Sequence, residues 1–162
     1  MPCWSISGRW IGEYRYHPSP GLPANLPSVV FAMDIAEWEG KFRGRVQDDP
    51  SVGTPEPGAI EGVTDGRTVS FMKRMPVCFF NGPDGLQSLR DLVMQHWGMA
   101  LDRVVPAPPI EYSGEFSADG EEVSSVWRIA EGTIFIPSGG EEYPLPCTGA
   151  TGTWFMRRQR SG

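Results

Sequence analysis

A chain of 162 residues with 40% hydrophobic and 21% charged residues is long enough to bury a real core, and its composition is neither that of a disordered chain nor that of a transmembrane one. The formal net charge of −6 argues against a nucleic-acid partner, whose phosphates would be repelled by an acidic surface. No apolar run approaches the roughly 20 residues that cross a bilayer, and the first residues lack the basic and apolar stretches of a signal peptide. We therefore expect a cytoplasmic protein with a single domain over residues 1–162 that binds neither nucleic acid nor membrane.

The three cysteines, Cys3, Cys78 and Cys147, are scattered along the chain without the spacing of metal ligands. An odd, sparse set of cysteines is more typical of a reducing compartment than of a disulfide scaffold. We accordingly expect no metal site, and we predict no cofactor.

Glycine and proline, with 20 and 16 residues, separate short segments in which apolar and polar residues alternate. A period of two is typical of β-strands with one buried face. The alternation is sharpest in residues 41–48, where Phe42 and Val46 share one face and Lys41 and Arg43 the other. Eight strands are predicted in this way, over residues 8–16, 29–38, 41–48, 59–64, 67–75, 110–117, 121–129 and 151–159.

The connections between these strands alternate between short and long. Glu39-Gly40 and Asp65-Gly66 close tight hairpins, as do residues 118–120, because such turns need residues that tolerate positive φ. In an up-and-down meander, alternate connections lie at opposite ends, so one end is tightly closed and the other carries all the long loops. Closure also removes exposed strand edges. The pattern predicts an all-β fold, an eight-stranded antiparallel up-and-down β-barrel. Its long connections are residues 17–28, 49–58, 76–109 and 130–150.

One short helix is predicted in the long loop between strands five and six. Asp84-Gly85-Leu86-Gln87 is a variant capping box, apolar residues then recur at helical spacing as far as Trp97, and Gly98 ends the run. Two roles are open for such a helix. It packs on the barrel for stability, as most apolar helix faces do, or it forms a lid over a ligand.

The first predicted strand begins Gly8-Arg9-Trp10, and the last one ends with Arg157-Arg158. This combination resembles the calycin superfamily, the β-barrels that include lipocalins, avidins and fatty-acid-binding proteins. Ile60-Glu61-Gly62 and Tyr112-Ser113-Gly114 are similar to avidin segments in particular. The resemblance implies that the Arg158 guanidinium packs over the Trp10 indole, a contact that gains about 1–2 kcal/mol when partly desolvated.

Several inward positions toward the loop end carry polar or aromatic side chains, the usual lining of a small-molecule site. Lys73 is the most informative, because an unpaired buried ammonium is costly. In a structural role, Lys73 pairs with Asp48 or extends its ammonium to the mouth of the barrel. In a functional role, it recognises a ligand. We predict an intracellular protein that binds a small apolar or aromatic molecule in the barrel mouth. The predicted ligand-binding residues are Tyr14, Tyr16, Asp48, Lys73, Tyr112, Trp127 and Trp154.

The same residues allow an enzyme as the alternative, in which Lys73 with Tyr14 or Tyr112 performs acid–base chemistry. The chain offers no nucleophile elbow or phosphate loop to support this alternative. Glycines at inward positions would leave space for a ligand inside the barrel. They would equally relieve backbone strain where a small barrel bends, so both interpretations are open. These glycines are Gly12, Gly44, Gly62, Gly114 and Gly152.

A third hypothesis is a structural, self-associating module. Ile11, Val126 and Phe155 point outward from strands one, seven and eight, which become neighbours when the barrel closes. The resulting apolar stripe would be covered by the helix or would form the interface of a homodimer.

Overall fold

A computed structural model describes residues 2–160, and in it the main sheet is a closed antiparallel barrel of eight strands. The predicted fold class is thus confirmed. The elements in chain order are β1 (Gly8–Tyr16), β2 (Val29–Trp38), β3 (Lys41–Asp48), β4 (Gly58–Thr64), β5 (Thr68–Arg74), β6 (Phe79–Gly82), β7 (Gly85–Ser88), α1 (Leu89–Trp97), β8 (Ile110–Phe116), β9 (Glu122–Ile129), β10 (Gly132–Ser138), β11 (Glu141–Cys147) and β12 (Ala150–Arg158).

The barrel runs in the order β1, β12, β9, β8, β5, β4, β3, β2 and closes where β2 pairs with β1. Its strand bounds differ from the predicted ones by at most one residue at each end. The alternation explains this agreement: in β3, Phe42 and Val46 are buried while Lys41 and Arg43 are exposed, so the register is set by which face must leave water.

Side chains fill most of the barrel interior. A β-carbon added to Gly114 would lie only 2.7 Å from the Trp154 ring, and one added to Gly152 would collide with the Trp127 ring. These two inward glycines therefore provide the space that neighbouring indoles occupy, and they leave no cavity.

Trp10 and Arg158 close the barrel at the end with the short turns. The Arg158 guanidinium lies 4.3 Å from the centre of the Trp10 ring, which confirms the predicted contact. The Trp10 indole also donates to the Ile6 carbonyl at 2.8 Å, and Arg158 donates to the carbonyls of Ser5 at 2.7 Å and Ser7 at 2.8 Å. The segment before β1 therefore folds over this end of the barrel, a feature that no sequence pattern indicated.

The long loops contain structure that the sequence analysis missed. β6 and β7 form one two-stranded hairpin, and β10 and β11 form another. The helix predicted to begin at Asp84 begins at Leu89, because residues 85–88 pair with β6 as β7 instead. Its N-cap is Ser88, whose hydroxyl accepts from the Asp91 N–H at 3.1 Å. Gly98 ends the helix, as predicted, and the structure shows it in the left-handed conformation.

A second, smaller apolar cluster ties these loop elements together. It consists of Cys78, Leu89, Val93 and Ile136, and it joins α1 to the β10–β11 hairpin. We call these residues the loop-end cluster. Among the residues that the structure describes, no helix is both long enough and apolar enough to span a membrane.

Candidate functional site

A cavity of about 100 Å³ lies at the loop end of the barrel, between the filled interior and the long loops. Its walls are mostly apolar, with a small group of polar side chains among them. The apolar lining consists of Leu26, Pro27, Val29, Val52, Met75, Val77, Phe79, Leu86, Ala107, Pro108, Ile110 and Ile129. The polar lining consists of Tyr14, Tyr16, Asp48, Thr54, Lys73 and Asn81.

A buried ion pair forms the polar centre of this cavity. The Lys73 ammonium lies 2.9 Å from Asp48 Oδ1, and the two side chains are only 1% and 2% exposed. Tyr14 donates its hydroxyl hydrogen to the other carboxylate oxygen, Asp48 Oδ2, at 3.2 Å. The three residues come from β5, β3 and β1, where strand alternation points them inward. Lys73 therefore pairs with Asp48, which is one of the alternatives that the sequence left open.

The Lys73 ammonium retains donor capacity after this pairing. An ammonium has three N–H donors, and within residues 2–160 its hydrogen-bond acceptor is Asp48 Oδ1. Its nitrogen also lies 4.7 Å from the centre of the Tyr14 ring and 5.9 Å from that of Phe31, so aromatic faces provide a further, weaker contact. Lys73 lines the cavity, and its hydrogen bond to Asp48 uses one of its three N–H donors, so donor capacity remains for an occupant of the cavity.

The tyrosines around the pair are neutral at ordinary pH. Burial raises the pKa of Tyr14 far above its usual range, and the negative charge of Asp48 raises it further. Burial likewise raises the pKa of Tyr112 and of Tyr16, although a hydrogen bond with the Asn81 side chain opposes the effect at Tyr16. The charges of Lys73 and Asp48 therefore cancel without a contribution from the phenols.

Four of the seven predicted ligand-binding residues line the cavity: Tyr14, Tyr16, Asp48 and Lys73. Their side chains meet there because β1, β3 and β5 all direct an inward position to the loop end.

The other three predicted residues, Tyr112, Trp127 and Trp154, are buried in the barrel core and are absent from the cavity lining. The Tyr112 ring is 5.3 Å from that of Trp154, and the Trp154 indole donates to the Ser113 carbonyl at 2.8 Å. Trp127 packs edge-on against Tyr16 with ring centres 4.9 Å apart. These residues lie in the barrel core, and Trp127 contacts the cavity-lining residue Tyr16 directly.

The loops contribute lining residues that sequence reasoning did not identify. Thr54 comes from the connection after β3, Asn81 from β6 and Leu86 from β7. The Thr54 hydroxyl oxygen is buried and has no hydrogen-bond partner within the described residues. No periodicity marks these positions, because irregular loops and short hairpins carry none.

The outward apolar stripe is not covered by the helix. Ile11 and Val126 are 37% and 48% exposed, and Phe155 is half-buried. The buried residues of α1, Leu89 and Val93, belong to the loop-end cluster instead. A homodimer through this stripe stays a prediction, which sedimentation of the wild-type chain at high concentration would test.

No protein-family model, curated protein or solved structure matches this chain. Within residues 2–160 no group of three or more His, Cys, Asp and Glu side chains is placed to hold a metal ion.

Proposed function

We propose that this protein binds a small apolar or aromatic molecule in the loop-end cavity, as a carrier or sensor of that molecule. The observation that supports the proposal is an apolar cavity with a buried Lys73–Asp48 ion pair as its polar centre, in which the Lys73 ammonium has N–H donors beyond the one that Asp48 accepts. Such a combination of apolar walls and a few converging polar groups is typical of ligand sites. The Thr54 hydroxyl also lines the cavity and is buried without a partner among the described residues, so it adds a second polar group that a ligand would satisfy.

The cavity volume limits the size of the ligand. About 100 Å³ corresponds to roughly three water molecules at liquid density. An engineered cavity of about 150 Å³ in another protein holds benzene. Benzene has six non-hydrogen atoms, so a molecule of about four suits the cavity as it stands. A ring of benzene's size requires the loop side chains to move outward by a small amount.

The enzyme alternative receives less support from the geometry. Lys73 is engaged with Asp48 at 2.9 Å, and the raised pKa of Tyr14 opposes loss of its proton. The Tyr14 phenol is therefore not poised to exchange a proton with a substrate near neutral pH, and the Lys73 ammonium is held in an ion pair. We therefore do not propose a catalytic role for them.

A relationship with the calycin superfamily is part of the proposal. It rests on the eight-stranded barrel and on the packing of Arg158 over Trp10, which the resemblance implied. Cys3, Cys78 and Cys147 are all free thiols, which supports a reducing compartment such as the cytoplasm as the place where the protein works.

A screen of small ketones, alcohols, aromatic rings, lipids and cofactors by NMR and thermal shift would test the proposal. Binders should shift the resonances of Lys73 and of the Trp127 indole N–H, which lies next to the lining residue Tyr16. If no compound in the screen binds, the proposed function is wrong.

A matched pair of variants would locate the binding site. Ala107 lines the cavity, whereas Ala59 points outward from β4 and is exposed. Ala107→Leu should fill the cavity and abolish binding, and Ala59→Leu should leave it unchanged. Equal loss or equal retention of binding in both variants would place the ligand elsewhere.

A further inference from the structure

We infer that the ligand presents a neutral hydrogen-bond acceptor, such as the carbonyl oxygen of a ketone or amide, to the Lys73 ammonium, and that carboxylates are selected against. This inference rests on the proposed function and specifies which end of the ligand lies deepest. It follows from the donors and the charges at the cavity floor.

The donor count requires an acceptor on the ligand. Lys73 has three N–H donors, of which Asp48 Oδ1 accepts one at 2.9 Å and the Tyr14 ring faces the ammonium at 4.7 Å. Its side chain is 1% exposed, so bulk water does not surround the remaining donor capacity. A buried donor that stays unpaired is costly, so a purely hydrocarbon ligand would leave that cost in place.

The charge count requires that the acceptor be neutral. Lys73 and Asp48 are the charged residues among the described cavity lining, so the site sums to zero. Burial raises the pKa values of Tyr14 and Tyr16, and both phenols are uncharged. A carboxylate would add an uncompensated negative charge beside Asp48 in a place where charge is poorly solvated. A carbonyl dipole accepts the same hydrogen bond without that penalty.

The apolar walls determine where the rest of the ligand lies. Val29 and Ile110 flank the cavity from the barrel strands, and Phe79 and Leu86 cover it from the β6–β7 hairpin. A ligand therefore directs its carbonyl toward Lys73 and its hydrocarbon part toward the hairpin. This orientation pairs the polar end with the donor and removes the apolar end from water.

The experiment compares isosteric probes that differ in charge. Benzamide, acetophenone and benzoate have the same number of non-hydrogen atoms, as do isobutyramide, 3-methylbutan-2-one and isobutyrate in a smaller set that is closer to the cavity volume. Dissociation constants for the wild-type protein would be measured by NMR titration at neutral pH. In the set that fits better, the amide and the ketone should bind at least ten times more tightly than the carboxylate.

Asp48→Asn tests the reason for this preference. The substitution changes the charge of the site from zero to +1, so the carboxylate should become the tightest-binding probe of its set. Asp34→Asn is the matched control, because it removes one carboxylate from the outer face of β2 and leaves the cavity unchanged. Near-ultraviolet circular dichroism would check that each variant is folded.

The outcomes separate the inference from the proposed function. If carboxylates bind the wild-type protein as tightly as their neutral isosteres, the inference is wrong while the binding function stands. If Asp48→Asn folds and still prefers neutral probes, the charge argument is wrong. If no probe of either set binds, the proposed function and the inference both fail. Should Asp48→Asn not fold, the wild-type comparison alone decides.

Discussion

The two ends of the barrel are formed by the same eight strands, but different interactions stabilise them. At the closed end the Trp10 indole and the Arg158 guanidinium contact each other, and both donate hydrogen bonds to the segment before β1. At the loop end the strands direct an ion pair into a cavity that hairpins and loops cover. Packing is the main stabilising interaction at the closed end, whereas polar groups and loop contacts are the main ones at the loop end.

The two ends also differ in how completely their buried polar groups are paired. Within the described residues, no buried side-chain nitrogen or oxygen at the closed end lacks a hydrogen-bond partner. Within residues 2–160, the buried side-chain atoms without a hydrogen-bond partner are Thr54 Oγ1 and Glu56 Oε2, both in the loop after β3. Lys73 also uses only one of its three N–H donors in a hydrogen bond. Buried polar groups in native proteins are nearly always paired, so such exceptions mark candidate functional sites.

The largest loss of stability is expected from removing the Trp10 side chain at the closed end. Trp10 is fully buried, so Trp10→Ala should lower the free energy of unfolding by about 3–5 kcal/mol. Trp38 is 78% exposed in β2, and Trp38→Ala should change stability by less than about 0.5 kcal/mol. Urea denaturation would measure both. Similar losses in the two variants would contradict the view that packing at the closed end dominates stability.

Breaking the ion pair tests the loop end in the same way. Asp48→Asn should cost about 3 kcal/mol, the lower part of the range for a broken buried pair, because the amide oxygen still accepts from Lys73. Asp34, whose pairing with Arg9 is exposed, provides the control, and Asp34→Asn should cost no more than about 1 kcal/mol. If the two variants unfold at the same urea concentration, the buried pair is not the polar centre of this end.

Raising the pH above about 10 should lower the free energy of unfolding through the buried tyrosines. The variant Tyr14→Phe should show how much of this loss comes from Tyr14. Burial, with a contribution from Asp48, raises the folded pKa of Tyr14, whereas an unfolded tyrosine ionises near pH 10. Tyr14 thus stabilises the fold fully below about pH 10, and this stability declines at higher pH by about 1.4 kcal/mol per pH unit. Urea titrations from about pH 9 to about pH 11 should therefore show a shallower decline for Tyr14→Phe. An unchanged slope would mean that the folded phenol ionises freely.

The smallest effect is expected from the helix cap at the loop end. Ser88→Ala removes the acceptor of the Asp91 N–H and should destabilise α1 by about 1 kcal/mol. Hydrogen exchange should quicken about fivefold in α1 and stay unchanged in the barrel strands. Ser70→Ala, at an exposed position of β5, is the control and should alter neither. Equal acceleration throughout the molecule would show that helix and barrel unfold as one unit.

Where sequence reasoning missed the site, it did so for identifiable physical reasons. Residues 85–88 fit a helical start, but pairing with β6 satisfies their backbone groups as a strand, and Ser88 then caps the helix. Trp127 and Trp154 share the inward face with the cavity residues, but alternation specifies a face and not a depth along the barrel. Lining residues such as Thr54 and Asn81 lie in segments without periodicity.

By itself, the amino-acid sequence determined the eight barrel strands, their inward faces, the closed end at Trp10 and Arg158, and the convergence of Tyr14, Asp48 and Lys73. The strands, their inward faces and the convergence of the three polar side chains follow from period-two alternation and turn chemistry, which are local properties of the chain. The packing of Arg158 over Trp10 was implied by the resemblance to the calycin superfamily. Only the tertiary structure decided that indoles fill the spaces beside the inward glycines and that two hairpins cover a small cavity. Cavity volume is the difference between the space that the backbone encloses and the side chains that enter it, and residues distant in sequence set both.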